Sequence, residues 1–128
     1  MASKSEMDKL IASQQTELDA VLLYQALAEL AKSEEEKQTF LAMAADEGRH
    51  AAILRGITGA QLTPKNTLAK LSATMFRFGG RKVLLHFMAQ FEINSFFSYQ
   101  KYFDRYPEIA SIASDEIRHG HLLTAMMA

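Results

Sequence analysis

The pentamer Asp-Glu-x-Arg-His occurs twice, as DEGRH from Asp46 and as DEIRH from Asp115. Residues three apart in an α-helix project from the same face, so each copy presents a carboxylate beside an imidazole. One such pair is more often a surface pair than a metal-ligand pair. Two copies that share the preceding Asp and the internal Arg indicate that both Glu–His pairs serve the same chemical purpose. The two pairs are Glu47 with His50, and Glu116 with His119.

Helix breakers divide the chain into long helical segments. Pro64, Pro107 and glycines at 56–59 and 79–80 mark the interruptions. Ala, Leu, Glu, Lys, Gln and Met dominate between them, and the alternation typical of strands is absent. A serine followed three residues later by glutamate, Ser33 with Glu36, predicts a capping box. The predicted helices cover residues 5–31, 34–57, 66–78, 81–103 and 107–127.

These helices predict an all-α protein made of two helical hairpins. The long connection between the second and third long helices contains the short extra helix at 66–78. One long connection is typical of ferritin-like four-helix bundles rather than simple up-down-up-down bundles. At 128 residues, we expect a single domain covering 1–128.

The composition narrows the classes of protein to consider. The formal net charge of −1 gives no general indication of a nucleic-acid or anionic-lipid partner. The absence of cysteine excludes disulfides and thiolate metal sites, and fits a reducing compartment such as the cytoplasm. The polar N-terminus and the lack of a long apolar run predict neither a signal peptide nor a transmembrane helix.

Two further carboxylates lie in the middle of the remaining long helices. Glu92 interrupts the apolar run HFMAQFEINSFF, where an ionised carboxylate is costly unless it is paired or bound to metal. The midpoint between Glu17 and Glu47 is residue 32, and that between Glu92 and Glu116 is residue 104. Both midpoints coincide with predicted turns, so each mid-helix glutamate should lie level with the Glu–His pair of its own hairpin.

Four carboxylates and two imidazoles on one layer of a bundle suit two divalent metal ions. This donor set favours iron or manganese over structural zinc. The four carboxylates carry −4 and two divalent ions carry +4, so the filled site can lie in a low-dielectric core. Without metal, the same groups should take up protons or water.

On these six residues, the sequence resembles the ferritin-like di-iron carboxylate proteins, particularly rubrerythrin-like domains. The resemblance covers nearly the whole chain. The segment from RFGGRKVLL through the second pentamer is also similar to the erythrin-type domain found ahead of vacuolar-iron-transporter-like membrane domains.

The resemblance implies a role for each candidate ligand. The glutamates of the pentamers would bridge two ions, and each mid-helix glutamate would complete one ion together with one histidine. The implied bridges are Glu47 and Glu116, and the implied terminal ligands are Glu17 with His50 and Glu92 with His119.

Further residues would orient these ligands. By the resemblance, Asp46 and Asp115 would each accept the other N–H of the histidine on the opposite helix. Arg49 and Arg118 could restrain those aspartates, and Tyr24 and Tyr99 could hydrogen-bond the carboxylates. The alternatives are a solvated face for the Asp and Arg residues and a purely apolar packing role for the tyrosines.

The sequence departs from classical rubrerythrins in two respects. Without cysteine, it lacks the attached rubredoxin that would supply electrons, so an external electron donor is expected. Ser95 also stands where classical rubrerythrins carry an additional glutamate, one turn after the third-helix ligand.

The favoured hypothesis is a non-haem di-iron oxidoreductase that uses O₂ or H₂O₂, of ferroxidase or peroxide-reducing type. The alternative is an iron- or manganese-binding module for sensing or delivery, with a membrane transporter domain outside this chain. A metal-free helical interaction domain is disfavoured, because it would bury four carboxylates without compensation.

The third long helix and its end carry more aromatic residues than one bundle core needs. We interpret the excess as part of a homodimer interface. His86 and His121 do not match the ligand face and are expected to be exposed or structural. The aromatic residues concerned are Phe87, Phe91, Phe96, Phe97, Tyr99, Tyr102 and Phe103.

Overall fold

The structure, a computed structural model, describes residues 2–127, which form five α-helices and no strand. The predicted all-α class, with a short helix in the long connection, is confirmed. None of the helices in this range combines the length and the apolar character needed to cross a membrane. The helices are α1 (Lys4–Glu29), α2 (Glu34–Thr58), α3 (Thr67–Arg77), α4 (Arg81–Gln100) and α5 (Ile109–Ala125).

The described residues fall into two compact units that divide between Thr74 and Met75, within α3. In the first unit α1 packs against α2, and in the second α4 packs against α5. Each unit is therefore built around one helical hairpin, in agreement with the hairpins that the breakers predicted.

Side-chain caps begin both helices of the first hairpin. Ser3 and Glu6 form a reciprocal capping box at the start of α1. At α2 the Ser33 hydroxyl accepts from the Glu36 backbone N–H at 3.1 Å, but the Glu36 carboxylate accepts from the Lys32 N–H instead of the N-cap N–H. The predicted cap is therefore present, with its second hydrogen bond moved back by one residue.

Most helix ends lie slightly inside their predicted bounds, although α1 begins one residue early and α2 ends one residue late. Helix α1 was predicted to reach residue 31, but its last turn tightens into i→i−3 hydrogen bonds at Leu30 and Ala31. Similar bonds at Tyr102 and Phe103 end α4 at Gln100 instead of residue 103. The predicted start of the last helix at 107 was also early, because a turn covers 107–108 and α5 begins at Ile109. Such tightening of a terminal turn leaves no signature in hydrophobic spacing.

The first hairpin packs large apolar side chains along one seam. Tyr24 stacks on Phe40 across α1 and α2, with ring centroids 6.2 Å apart. Aliphatic and thioether side chains continue this seam on both sides of the stacked rings. These fully buried neighbours are Leu10, Leu27, Met43 and Leu54.

In the second hairpin, a glycine sets how closely α5 approaches α4. A Cβ atom on Gly120 would lie 2.6 Å from Ile93 Cγ1 and 3.4 Å from the Ala89 carbonyl oxygen. Cβ atoms do not approach carbon so closely, so a larger residue would have to displace the Ile93 side chain or move the helices apart. Gly120 therefore allows α5 to approach α4 closely enough to bring His119 beside Glu92.

Three phenylalanines of α4 lie outside the core, in agreement with the excess of aromatic residues that the sequence showed on this helix. Phe87, Phe91 and Phe97 are 64%, 55% and 60% exposed. An apolar run indicates that a helix favours burial on many sides. It does not indicate which of these sides the rest of the same chain buries.

We predict that Gly120→Ala destabilises the protein although alanine is the better helix former. The added methyl group must displace Ile93, at a cost of about 1–3 kcal/mol. Gly56→Ala in α2 is the matched control, since its Cβ would meet nothing within 4 Å and should stabilise the helix. Urea unfolding of both variants checks this, and equal stability changes would contradict the packing role of Gly120.

Candidate metal centre

The first hairpin brings two carboxylates and one imidazole into a compact cluster. His50 Nδ1 lies 3.4 Å from Glu17 Oε2 and 3.2 Å from Glu47 Oε1. Glu17 comes from the middle of α1, while Glu47 and His50 lie one turn apart on α2. All three residues are at most 3% exposed.

The second hairpin repeats this arrangement. His119 Nδ1 lies 3.6 Å from Glu92 Oε1 and 4.0 Å from Glu116 Oε1. Glu92 comes from α4, and the other two residues lie one turn apart on α5. The three residues are at most 2% exposed. The same three side-chain types are thus used in the same order by both hairpins.

The donor atoms in each hairpin have the chemistry and spacing of metal ligands. In each trio, one oxygen from each glutamate and one histidine nitrogen lie within 4.8 Å of one another. Two ligands bound at about 2.1 Å to one ion lie roughly 3–4.2 Å apart, so the measured distances need little adjustment. Carboxylate and imidazole donors without thiolate suit iron or manganese. The residues present therefore fit the kind of metal that the sequence predicted.

Burial shifts the proton affinity of the first trio. Burial, with the adjacent Glu47 carboxylate, raises the pKa of Glu17 to about 8 against the opposing effect of His50. Burial alone would lower the pKa of His50, but its contacts with Glu17 and Glu47 outweigh this effect and raise it to about 10. In the absence of metal, the first hairpin therefore retains protons near neutral pH.

The internal arginine of each pentamer lies beside its aspartate. Arg49 Nη2 is 3.8 Å from Asp46 Oδ1, and Arg118 Nη2 donates to Asp115 Oδ1 at 3.1 Å. The arginines are half exposed, so each pair adds little stability but limits the rotamers of the aspartate. The contact of each aspartate with the histidine of the opposite hairpin stays a prediction.

The two tyrosines predicted near the ligands are both buried. Tyr24 is 2% exposed and Tyr99 is 4% exposed. Packing of Tyr24 on Phe40 fixes its ring, while hydrogen bonding of either tyrosine to a carboxylate stays a prediction. His86 and His121 are both exposed, in agreement with their exclusion from the ligand set.

A buried glutamine that the sequence did not reveal holds the end of α2 against α1. Gln14 is 1% exposed, accepts from the Thr58 hydroxyl at 2.5 Å and donates to the Ala60 carbonyl at 2.9 Å. It lies one turn before Glu17 on the same face of α1. Its burial could have been predicted from the sequence, because a residue three positions before a candidate ligand lies on the same buried side of the helix.

We predict that the metal-free protein loses stability as the pH rises from about 5 to about 9. The folded-state pKa values of Glu17 and His50 are both raised, so the folded protein binds more protons than the unfolded chain across this range. Their stabilising contribution is complete below the ordinary pKa values of 4.5 and 6.5. It is lost progressively as the pH rises to about 8 for Glu17 and to about 10 for His50.

Urea unfolding of metal-free protein at several pH values measures this slope. The double variant Glu17→Gln, His50→Gln removes both groups and should give a flatter dependence. Identical slopes in the two proteins would contradict proton retention at this site.

Comparison with known proteins gives one family assignment. The model of the family described as Rubrerythrin matches residues 8–78, which include Glu17, Glu47 and His50. Comparison with curated proteins and with solved structures finds no significant match. The second trio lies beyond the matched range, but it repeats the residue types and the Glu-x-x-His spacing of the first. Since the match covers more than half of the chain, this protein belongs to the rubrerythrin family.

Proposed function

We propose that this protein is a non-haem di-iron oxidoreductase that reduces O₂ or H₂O₂. The observation that carries the proposal is the buried trio of two glutamates and one histidine in each hairpin. Family membership supports iron as the metal. A stability-only role is disfavoured, because burying four carboxylates costs free energy that an apolar core would not.

We further propose that the two trios supply a single centre for two ions. A trio alone offers too few donors for an iron or manganese ion, which prefers about six ligands. Sharing the pentamer glutamates as bridges would raise the number of donors at both ions. The proposed bridges are Glu47 and Glu116, with Glu17 and His50 on one ion and Glu92 and His119 on the other.

The protein's contribution to the reaction would be to hold and neutralise the ions. Four carboxylates match the charge of two divalent ions, so the filled centre has no net charge in its buried surroundings. Bound ferrous ions would supply one electron each, which with two protons reduce H₂O₂ to two water molecules. The helices fix each Nδ1 toward the carboxylates, and Arg49 and Arg118 would restrain the aspartates proposed to orient the imidazoles.

One feature favours a second candidate function, metal sensing or delivery. Ser95 donates its hydroxyl hydrogen to the Phe91 carbonyl of its own helix at 3.0 Å. The position that carries an additional glutamate in classical rubrerythrins is thereby occupied by a short side chain bonded to the backbone. A centre without that carboxylate would bind metal but turn over peroxide less efficiently.

We predict that the protein binds about two Fe²⁺ per chain under anaerobic conditions and oxidises them rapidly when O₂ or H₂O₂ is added. Glu47→Ala and Glu116→Ala should each abolish stoichiometric binding, since each removes a bridge. His119→Ala should also impair binding, while His121→Ala on the same helix is the matched control because His121 is exposed.

Metal analysis and stopped-flow absorbance provide the two readouts. Uptake without rapid oxidation would favour sensing or delivery over the oxidoreductase. Uptake that is unaffected by both glutamate variants would contradict the proposed centre itself.

We also propose that α4 forms a homodimer interface. Its exposed apolar residues Val83, Phe87, Phe91 and Phe97 share one face of the helix. Phe87 and Phe97 lie five residues before and after Glu92, so a two-fold axis near Glu92 would pair two antiparallel copies of this face. The face is thus suited to contact an identical copy of itself.

For this dimer, we predict that the double variant Phe87→Asp, Phe91→Asp is monomeric in sedimentation equilibrium while the unmodified chain is dimeric. Charges placed in a desolvated interface oppose association strongly. Leu41→Asp, at an exposed apolar position of α2, is the control and should leave the dimer intact. A monomeric unmodified protein would contradict the proposal.

A further inference from the structure

The segment 63–82 carries a strong positive charge that is not apparent from the net charge of the whole chain. It contains five basic residues and no acidic residue. Removing these five from the chain's 14 basic residues leaves nine against all 15 acidic residues, so the rest of the chain carries −6. A segment of +5 within such a chain is a pronounced asymmetry. The basic residues are Lys65, Lys70, Arg77, Arg81 and Lys82.

Helix α3, at the centre of this segment, has an exposed apolar stripe. Leu68 and Leu71 are 45% and 68% exposed, and Met75 is 44% exposed. Phe78, just after the helix, is 78% exposed, the largest value among the exposed large apolar residues. Their spacing of three, four and three residues places them along one side of a helix with 3.6 residues per turn.

The other sides of α3 have different characters. Ala69, Ser72 and Phe76 are buried, so this side anchors the helix to the protein. Lys70 and Arg77 are exposed seven residues apart, and their side is separate from both the buried side and the apolar stripe. Helix α3 thus combines one anchored side, one exposed apolar side and one basic side.

We propose that α3 docks on an anionic membrane surface, lying flat with its apolar stripe at the boundary between headgroups and acyl chains. An exposed stripe of Leu, Met and Phe next to lysine and arginine is the pattern of helices that bind membrane interfaces. The positive charges extend from Lys65 before the helix to Lys82 after it. They match a laterally continuous layer of lipid phosphates better than a few carboxylates on a protein.

Charge and apolar contact would act together in this docking. The helix is 11 residues long, or about 16 Å, too short for a deep apolar anchor. Each basic residue near an anionic surface strengthens binding about fivefold, and salt screens this contribution. We therefore expect docking to be reversible and to require anionic lipid.

Co-sedimentation of the 128-residue chain with vesicles tests the proposal. We expect binding to vesicles of phosphatidylcholine mixed with phosphatidylglycerol, and little binding to phosphatidylcholine alone. Raising the salt from about 0.1 M to about 1 M should weaken the binding at least about tenfold. Absence of binding to the mixed vesicles, or equal binding to both kinds, would overturn the proposal.

Variants locate the binding surface. Leu71→Glu with Phe78→Glu should abolish binding, and Lys70→Gln with Arg77→Gln, at exposed positions that leave folding intact, should weaken it by about tenfold or more. Leu41→Glu on α2 is the matched control for an exposed apolar residue and should bind normally. Vesicle binding that survives both α3 double variants would overturn the proposal. So would binding to poly-glutamate without binding to vesicles, which would indicate an acidic protein partner.

Discussion

The burial of carboxylates together with imidazoles is the constraint on which this structure depends. Glu17 and Glu47 are each 3% exposed, and His50 between them is fully buried. Such a group is stable only when protons or cations compensate its charge. In the absence of metal, protons do so, because the pKa values of Glu17 and His50 are raised to about 8 and about 10. Metal ions would replace these protons, so metal binding, proton release and stability are thermodynamically linked.

The rest of each hairpin positions this polar layer. The stacked pair of Tyr24 and Phe40 and the hydrogen bonds of Gln14 fix α1 against α2 in the register that places Glu17 level with Glu47. In the second hairpin, Gly120 removes the side chain that would hold α5 away from α4. Small and polar residues outside the ligand set thus decide whether the donor atoms come within ligand distance.

Much of this arrangement could be predicted from the sequence, because helices and hairpins obey simple periodicities. The spacing of Glu47 and His50 and the hairpin midpoint at residue 32 predicted a cluster that includes Glu17. Gln14 was missed because its hydrogen bonds join residues more than 40 positions apart. The excess of aromatic residues on α4 predicted that some of its rings lie outside the core, but an apolar run does not reveal which ones, and Phe91 is among those that are exposed. Net charge concealed the basic segment at 63–82, since distant acidic residues cancel it.

We propose that the two trios together bind one pair of metal ions rather than two separate ions. Electron paramagnetic resonance of the protein loaded with two equivalents of Mn²⁺ tests this most directly, because carboxylate bridges couple the spins of neighbouring ions. We predict the spectrum of an exchange-coupled manganese pair, which Glu47→Ala and Glu116→Ala should eliminate. Two uncoupled six-line signals from the fully loaded protein would contradict it.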